Sequence, residues 1–431
     1  MARPGRTLNR GMAALVVKRA LLIAYHFPPI KVSSGIQRTL RFAQYLPEFG
    51  WESAVLAPHP RAYESTSEED MASIAHIPVR RAFAFDSARH LAFMGRYPRV
   101  LALPDRWVSW WLGAVPEGLM MIRHFKPQLI WSTYPIATAH LIGLTLHRLT
   151  GIPWIADLRD PMAQDGYPTD PKTWRAYDRI EKLVVRHATA VTFTTPGTLR
   201  DYTQRYPLRA GKFTLIENGY DENVFAAAEA ASDRTKPRGE GPFVLLHSGV
   251  IYPSERDPRQ FFAALARLQA ENVISPAVLQ VVLRATGHDS YLLELIHAVG
   301  LQSIVRVEPA ISYIDALTEM LTADALLILQ AANCNDQIPA KLYEYLRARR
   351  PVLALTDPAG DTAKALAAAG IDTIAALDSE AAIYTALRRF VLLLRGQNAP
   401  IACEAAIATA SRKGRTAELA QLMNRLVETG Q

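Results

Sequence analysis

Short apolar runs alternate with stretches of helical periodicity along most of the chain. Near the start, an apolar run at residues 20–24 predicts a buried strand, and a polar loop follows it. The apolar positions Leu40, Ala43 and Leu46 then recur at helical spacing. Residues 52–57 form the next apolar run. This order of strand, loop, helix and strand is typical of a doubly wound parallel sheet, so the pattern predicts an α/β fold.

The same pattern restarts in the second half of the chain. A strand at residues 243–247 leads to a loop with Gly249 and to a helix that begins near Pro258. At 431 residues, the chain is long enough for two domains of about 200 residues each. Small, charged, proline and glycine residues are concentrated between the two halves, as in a linker. We therefore predict a basic tail at residues 1–19, a first domain at 20–225, a linker at 226–242, a second domain at 243–402 and a helical segment at 403–431.

The composition narrows the classes of function. The net charge of +7 and the pI near 9.3 indicate an anionic partner, which could be nucleic acid, a nucleotide phosphate or an anionic membrane. The basic residues are scattered and no nucleic-acid-binding motif occurs, so nucleic acid is disfavoured. The two cysteines, Cys334 and Cys403, exclude a disulfide framework and a cysteine-based metal site and fit a reducing compartment.

Residues 336–354 carry the densest candidate chemistry. The segment from Asp336 to Pro339 predicts a loop, because a proline disfavours helix in the residue before it. A helix at residues 341–349 and an apolar strand at residues 352–355 follow. A loop that enters a helix offers free main-chain N–H groups and the positive end of the helix dipole, which together bind anions.

Two carboxylates lie close to this helix entrance. Asp336 belongs to the loop and Glu344 to the helix, where a carboxylate can accept a hydrogen bond from a sugar or ribose hydroxyl. Lys341 precedes Glu344 by three residues, so both side chains share one face of the helix. The alternative is an amphipathic helix on which Lys341 and Glu344 form a solvated contact of little consequence.

Two further loops follow predicted strands, at the edge where open α/β sheets bind ligands. The first loop contains Ser34 and Gly35. Gly35 would let a ligand approach the main chain closely. The alternative is that Ser34 and Gly35 only cap the following helix. The second follows a strand at residues 154–156 and contains Arg159 and Asp160. These two residues either line a site or form an ion pair that fixes the loop.

Tryptophans and basic residues occur together in the first half of the chain. Trp107, Trp110 and Trp111 lie near Arg106, a pattern typical of a membrane interface; the alternative is that the indoles pack inside the first domain. No apolar run approaches the length of a membrane span, and the start of the chain lacks the features of a signal peptide. We therefore expect neither element.

These motifs resemble those of the retaining GT-B glycosyltransferases of family 4. That family carries two carboxylates separated by seven residues, followed by Pro-Val and an aliphatic residue. Here Asp336 and Glu344 have this spacing, with Asp in place of the first Glu, and Pro351 and Val352 follow. Residues 216–221 match the Ile-x-Asn-Gly-x-Asp turn that ends the first domain of family members.

Other positions depart from the family pattern. Arg256 stands where the family has a Lys that holds the donor diphosphate, and Val250 stands where an Arg usually follows the glycine. Part of the diphosphate clamp must then come from elsewhere, such as Lys341 or His247. Arg159 replaces a His that contacts the transferred sugar in many members.

The resemblance implies a GT-B architecture, in which two Rossmann-like domains face a cleft and the C-terminal helices cross back to the first domain. It implies transfer of a sugar from a nucleotide-sugar to an acceptor hydroxyl with retained anomeric configuration, without metal or other cofactor. Arg256 and Lys341 would hold the diphosphate, Glu344 the ribose and Asp336 the sugar hydroxyls. The implied site residues are Arg159, Asp160 and Asp336 for catalysis, Gly249, Arg256, Gly287, Gln337, Lys341, Leu342 and Glu344 for the donor, and Ser34 and Gly35 for the acceptor.

The expected partners are a nucleotide-sugar donor and a glycan or lipid-linked acceptor in the synthesis of cell-surface polysaccharide or glycolipid. The expected location is the cytoplasm, with peripheral contact to the anionic inner face of the cytoplasmic membrane. The departures at Val250 and Arg159 leave two alternatives. One is a catalytically inactive GT-B protein that binds nucleotide-sugar or glycan as a regulator; the other is a GT-B epimerase or hydrolase that consumes donor without acceptor.

Overall fold

The computed structural model describes residues 17–31, 35–67, 71–92, 97, 102–231 and 241–428. Contacts divide the chain into two compact units, of which unit 1 comprises Met1–Ile155 and Ala420–Gln431 and unit 2 comprises Ala156–Leu419. This division falls inside a strand rather than in the expected linker, and the predicted domain limits stay a prediction.

The strands form a seven-stranded and a six-stranded sheet. The first contains β1 (Lys18–Ile23), β2 (Trp51–Pro58), β3 (Val79–Ala82), β4 (Leu129–Thr133), β5 (Trp154–Arg159), β6 (Ala190–Phe193) and β7 (Phe213–Leu215). The second contains β8 (Phe243–Ser248), β9 (Leu279–Arg284), β10 (Val305–Glu308), β11 (Ala325–Leu329), β12 (Val352–Leu355) and β13 (Ile374–Ala375).

Both sheets have the strand order of a doubly wound fold. The orders are β3-β2-β1-β4-β5-β6-β7 and β10-β9-β8-β11-β12-β13. The described pairings between these strands are parallel, for example β1 with β2 and with β4, and β8 with β9 and with β11. In each sheet the order reverses between the first strand and its later neighbour, which is where such sheets bind ligands. The predicted α/β fold with two doubly wound sheets is confirmed.

The described helices connect and cover these strands. They are α1 (Ile36–Tyr45), α2 (Ser87–His90), α3 (Ser109–Phe125), α4 (Ala137–Thr150), α5 (Pro171–His187), α6 (Pro196–Arg205), α7 (Glu222–Ala231), α8 (Arg259–Ala270), α9 (Asp289–Ala298), α10 (Tyr313–Thr322), α11 (Lys341–Ala348), α12 (Asp361–Ala368), α13 (Glu380–Arg395), α14 (Glu404–Thr409) and α15 (Arg412–Glu428).

In unit 1 the tryptophans pack against the protein's own elements. Trp110 is fully buried, and the indole N–H of Trp111 on α3 donates to Oγ1 of Thr145 on α4 at 2.9 Å. Trp107 is half-buried and packs against Tyr25, with ring centres 4.7 Å apart and the ring planes inclined at 45°. Packing therefore accounts for these indoles, and membrane contact stays a prediction. Among the described residues, no helix combines the length and apolar character needed to cross a bilayer.

In unit 2 the helix α11 packs its apolar face into the core beside the second sheet, with Leu342 and Tyr345 fully buried. Arg347 on the same helix forms ion pairs with Glu222 and Glu229 of α7, at 2.5 and 3.0 Å. The first part of the predicted linker, up to Ala231, is therefore helical and held to α11, while residues 232–240 lie outside the described part.

Three predicted boundaries were wrong. Strand β1 spans Lys18–Ile23 instead of residues 20–24, and residues 1–16 of the predicted tail lie outside the described part. Strand β5 continues to Arg159 instead of ending at residue 156, which places Asp157 inside the sheet, where it accepts a hydrogen bond from Thr192 at 2.7 Å. Helix α11 ends at Ala348 because Arg349 adopts a left-handed conformation with φ of 55°, before the proline at 351 is reached.

Candidate functional site

Unit 2 contains a polar cavity of about 180 Å³ at the carboxyl ends of its strands and at the entrance of helix α11. Asp160, Arg256 and Gln337, which the sequence predicted as site residues, come together in its wall. The complete lining is Asp160, Thr194, Asn218, Glu255, Arg256, Gln330, Cys334, Gln337, Ile338, Pro339 and Ala340. The cavity therefore lies at the predicted helix entrance, where main-chain N–H groups and the helix dipole favour an anion.

Lys341, the first residue of α11, is half-buried as a residue. Its Nζ lies 3.1 Å from Nε2 of His247. A methyl group at Gly249 would stand 3.0 Å from the same nitrogen, and Gly249 has a φ of 116°, which favours glycine. Burial and, next, the nearby Arg256 lower the pKa of Lys341 to about 7. A negatively charged ligand beside this ammonium would favour its protonated form.

Arg256 provides the second cation. Its guanidinium donates to the carbonyl of Val250 at 2.5 Å and lies 5.5 Å from the ring centre of Tyr252. A ligand with several negative charges would favour the charged form of Lys341, whose pKa the positive charge of Arg256 lowers. Because Arg256 lines the cavity and influences Lys341, the pair is suited to a diphosphate.

The side chain of Glu344 faces Tyr313. Its Oε1 accepts a hydrogen bond of 2.6 Å from the phenol of Tyr313, at the start of α10. Burial raises the pKa of Glu344, while the hydrogen bond from Tyr313 and the charges of Arg412 and Lys341 act in the opposite direction. Lys341 and Glu344 therefore each bind a group from another element, which differs from the solvated pair of the alternative interpretation.

Asp336 lies outside the lining of the cavity. Its Oδ1 accepts a hydrogen bond from Arg200 of α6 at 3.1 Å, and its main-chain carbonyl accepts one from Oγ1 of Thr195 at 2.6 Å. Arg200 also binds Oδ1 of Asp361 at 2.8 Å. The carboxylate expected to bind sugar hydroxyls is thus paired with a cation here, and that role stays a prediction.

Gln330 holds the loop between β11 and α11, and the sequence interpretation missed this role. Its Nε2 donates to the carbonyls of Cys334 and Gln337, at 2.8 and 2.9 Å, and its Oε1 accepts from Thr356 at 3.3 Å. The available signal was an amide side chain directly after an otherwise apolar buried strand, because buried polar groups need hydrogen-bond partners. Gln330 thereby fixes the main chain of Gln337 at the cavity.

Arg159 ends β5 with a φ of 59°, which is uncommon for a residue with a side chain. Its carbonyl accepts a hydrogen bond of 3.0 Å from Oγ1 of Thr194. This fixed bend directs the chain into Asp160, which lines the cavity. The bend thus belongs to the geometry of the site, and any contact of Arg159 with sugar stays a prediction.

Leu342 and Gly287, which were also predicted to bind the donor, have structural roles. Leu342 is fully buried in the core and its main-chain N–H donates to the carbonyl of Pro339, so its side chain has a packing role. Gly287 has a φ of 72°, and a methyl group there would stand 3.3 Å from Val250. Both positions shape the surroundings of the cavity.

The predicted acceptor loop belongs to unit 1. Gly35 is the N-cap residue of α1 and is buried, as expected if it caps the helix. Ser34 lies outside the described residues. A role of either residue in acceptor binding stays a prediction.

No group of three His, Cys, Asp or Glu side chains is placed to hold a metal ion in the part of the chain that the structure describes. The expectation of a metal-independent reaction is not tested by this observation.

Gly197 in α6 supports the loop that carries Asp336, and a side chain at this position should displace that loop. A methyl group would stand 2.3–2.5 Å from Oδ1, Cβ and Cα of Asp336, which is closer than real contacts allow. We expect Gly197→Ala to cost about 1–3 kcal/mol of stability, as overpacking usually does. It should also reduce donor binding, because the loop leads into the cavity.

The matched control is Gly211→Ala, since a methyl group there meets nothing within 4 Å. Thermal unfolding and nucleotide titration of both variants provide the measurement. Equal stability and equal binding in the two variants would contradict the expected displacement.

The comparisons with known proteins agree with this fold. Residues 34–219 match the family model of the glycosyl transferase 4-like domain. The comparison with curated proteins gave no match. Among solved structures, the sucrose-phosphate synthase of Thermosynechococcus elongatus is similar to this chain with a TM-score of 0.66 and 16% identity, over 96% of this chain and 100% of that one.

Two further solved structures have comparable similarity. HepE of Anabaena in complex with UDP gives a TM-score of 0.65 with 15% identity, over 96% of this chain and 100% of that one. A glycosyltransferase of Rickettsia africae gives 0.64 with 12% identity, over 95% and 99% of the two chains. At such identities the similarity establishes the fold. This chain has the two-sheet α/β fold of the GT-B glycosyltransferases.

Proposed function

We propose that this protein is a glycosyltransferase that moves a sugar from a nucleoside-diphosphate sugar to a hydroxyl group of an acceptor. The observation that carries the proposal is a polar cavity at the entrance of α11 that Arg256 lines, with Lys341 as the first residue of that helix and within the electrostatic influence of Arg256. The match of residues 34–219 to a glycosyl transferase 4-like domain supports the same reaction class. HepE, which has a similar fold, was solved with UDP, so a UDP-sugar is the first donor to test.

Cleavage of the bond between the anomeric carbon and the β-phosphate leaves negative charge on the departing diphosphate. In the proposed reaction, Arg256 and Lys341 stabilise this charge, and the dipole of α11 adds to the effect. Glu344 binds the ribose through the carboxylate oxygen that Tyr313 leaves free, and Gln337 and Asp336 face the sugar. These positive groups take the place that a metal ion has in other transferases, so the reaction proceeds without one.

The finer features of the proposal rest on the sequence motifs. The spacing of Asp336 and Glu344 supports retention of the anomeric configuration and membership of family 4. The acceptor is a glycan or a lipid-linked glycan of the cell surface, handled in the cytoplasm at the inner face of the membrane. Co-sedimentation with vesicles of anionic lipid tests the membrane contact.

Thermal unfolding of the protein with UDP, GDP, ADP, CMP and dTDP tests the donor site. We expect one nucleotide to raise the Tm, because a ligand that binds only the folded state at 100 times its Kd stabilises it by about 2.7 kcal/mol. The variants Glu344→Ala and Arg256→Ala should lose this shift, since they lack the ribose acceptor and one cation. Lys182→Met, at an exposed position on α5, should keep it.

Other results would change the assignment. No shift with any nucleotide would refute the donor site. Binding of nucleotide-sugar without turnover would identify an inactive, regulatory GT-B protein. Release of nucleotide, or change of the sugar, in the absence of acceptor would identify a hydrolase or an epimerase.

A further inference from the structure

His247 is a fully buried histidine at the end of the apolar strand β8. Apolar strands of a parallel sheet seldom contain a titratable side chain, because burial of a charged group is costly. Its imidazole has a polar partner on each nitrogen, namely the carbonyl of Leu327 at 2.9 Å from Nδ1 and the ammonium of Lys341 at 3.1 Å from Nε2. The ring therefore bridges the centre of the second sheet and the first residue of α11.

The partners determine the tautomer of the ring. A carbonyl oxygen only accepts hydrogen bonds, so Nδ1 must carry the proton that it donates to Leu327. An ammonium only donates, so Nε2 must be the unprotonated acceptor for Lys341. Burial and, next, the charge of Lys341 lower the pKa of His247, and the charge of Arg256 acts in the same direction. Hydrogen bonding to the main chain of Leu327 and of Gly249 acts in the opposite direction, but the net shift is downward and keeps the ring in this neutral state.

The other charges around Lys341 act on its protonation in opposite directions. Arg256, on the loop after β8, disfavours its protonated form, whereas Glu344, one turn along α11, favours it. The carboxylate of Glu344 is shared with Tyr313 and lies within the influence of Arg412. The ring of His247 is the group that accepts a hydrogen bond from Nζ of Lys341 among the described contacts.

A second contact ties the same two elements together. The main-chain N–H of Ser248, the residue after His247, donates to the phenol oxygen of Tyr345 at 3.0 Å. Tyr345 lies one helical turn after Lys341, so α11 is fixed to the end of β8 at two successive turns. The backbone position of α11 therefore does not depend on His247 alone. Removal of the imidazole should mainly change the position and protonation of the Lys341 side chain.

We propose that His247 is a positioning residue that holds the ammonium of Lys341 against Gly249, where it receives the diphosphate of the donor. This inference rests on the proposed function. His247 does not touch the donor, because it is fully buried behind Lys341. Its neutral ring supplies the acceptor that orients the ammonium and keeps it protonated in a site that already contains Arg256.

The test is the pH dependence of UDP-glucose binding, since both phosphates of this probe remain ionised between pH 5.5 and 9. Titration calorimetry compares the wild type with His247→Leu, which removes the acceptor, and with His247→Gln, whose amide oxygen can replace it. One net hydrogen bond corresponds to roughly one pKa unit or less, so loss of the acceptor should lower the pKa of Lys341 by about that amount.

The ratio of the Kd of His247→Leu to that of the wild type should then depend on pH. Because the variant loses its ammonium proton at lower pH, the ratio should be about 2 at pH 6 and rise to roughly 5–10 at pH 8 and above. His247→Gln should stay within about twofold of the wild type throughout. A ratio that is constant with pH would reveal a packing role and overturn the inference, while binding by the wild type would still uphold the proposed function.

A measurement on the wild type covers the case in which His247→Leu does not fold. Nitrogen-15 spectra of the histidine side chains should show His247 neutral, with Nδ1 protonated and Nε2 unprotonated, from pH 5.5 to 9. A protonated Nε2 would overturn the inference, because that nitrogen could not accept from Lys341. Absence of UDP-glucose binding to the wild type, together with absence of a thermal shift with any of the five nucleotides, would overturn the proposed function and this inference together.

Discussion

Replacement of Lys341 by methionine is expected to lower kcat by about 100- to 1000-fold, which is the usual effect of removing one group that stabilises negative charge in a transition state. The donor for this assay is the nucleotide-sugar that the thermal-shift panel identifies. Methionine has a similar length but no charge, so it leaves the diphosphate with Arg256 and the dipole of α11. The effect should be larger on kcat than on KM, because charge develops on the diphosphate as the bond breaks.

The stability of Lys341→Met should move in the opposite direction from its activity. The ammonium of Lys341 is desolvated and lies near a second cation, which lowers its pKa to about 7. An apolar side chain of similar volume removes that cost, so the Tm should be unchanged or higher. The control is Lys182→Met, whose side chain is 62% exposed and pairs with Asp178 on the surface of α5. Full activity in Lys341→Met would refute the diphosphate role of this residue.

The fold could be predicted because the periodicity of a short segment determines its type. Predicted strand 352–355 agrees with β12 at both ends, and predicted helix 341–349 begins at the same residue as α11. The sequence interpretation missed α3, whose 17 residues include Pro116 and apolar side chains on several faces. A helix of this kind lacks a single apolar stripe, so its pattern does not distinguish it from irregular structure.

The site could be predicted only where its residues are neighbours in sequence or follow strands. Gln337 and Asp160 satisfied this condition, and both line the cavity. The partners that determine the chemistry come from distant segments: Arg200 binds Asp336 across 136 positions, and His247 binds Lys341 across 94. Such contacts depend on the three-dimensional arrangement of α6, β8 and α11, and the local pattern of residues carries no signal for them.

Glu181 should have the largest effect on stability. This carboxylate on α5 is fully buried, and its Oε1 accepts hydrogen bonds from Arg205 at 2.6 Å and from the phenol of Tyr206 at 2.8 Å. Its Oε2 accepts one from the phenol of Tyr202 and a longer one of 3.4 Å from the main-chain N–H of Ala163. The carboxylate therefore joins α5, α6 and the segment that follows Asp160.

We expect Glu181→Leu to cost about 3–5 kcal/mol, the usual loss when one partner of a buried ion pair is removed. Leucine fills a similar space but leaves Arg205 and two phenols without their acceptor. For a unit of this size the loss corresponds to a Tm lower by about 6–20 °C. Thermal unfolding followed by circular dichroism measures the change.

Asp178→Asn is the matched control, because Asp178 lies on the same helix and pairs with an exposed lysine at 2.8 Å. Its loss should be within about 0.5 kcal/mol, as for most exposed ion pairs. Below the Tm of Glu181→Leu, the folded variant should also bind donor more weakly, since Ala163 and the main-chain N–H of Met162, which donates to Tyr202, help to hold the segment after Asp160. A Tm equal to that of Asp178→Asn would show that the phenols and Arg205 find other partners and would contradict the expected role of Glu181.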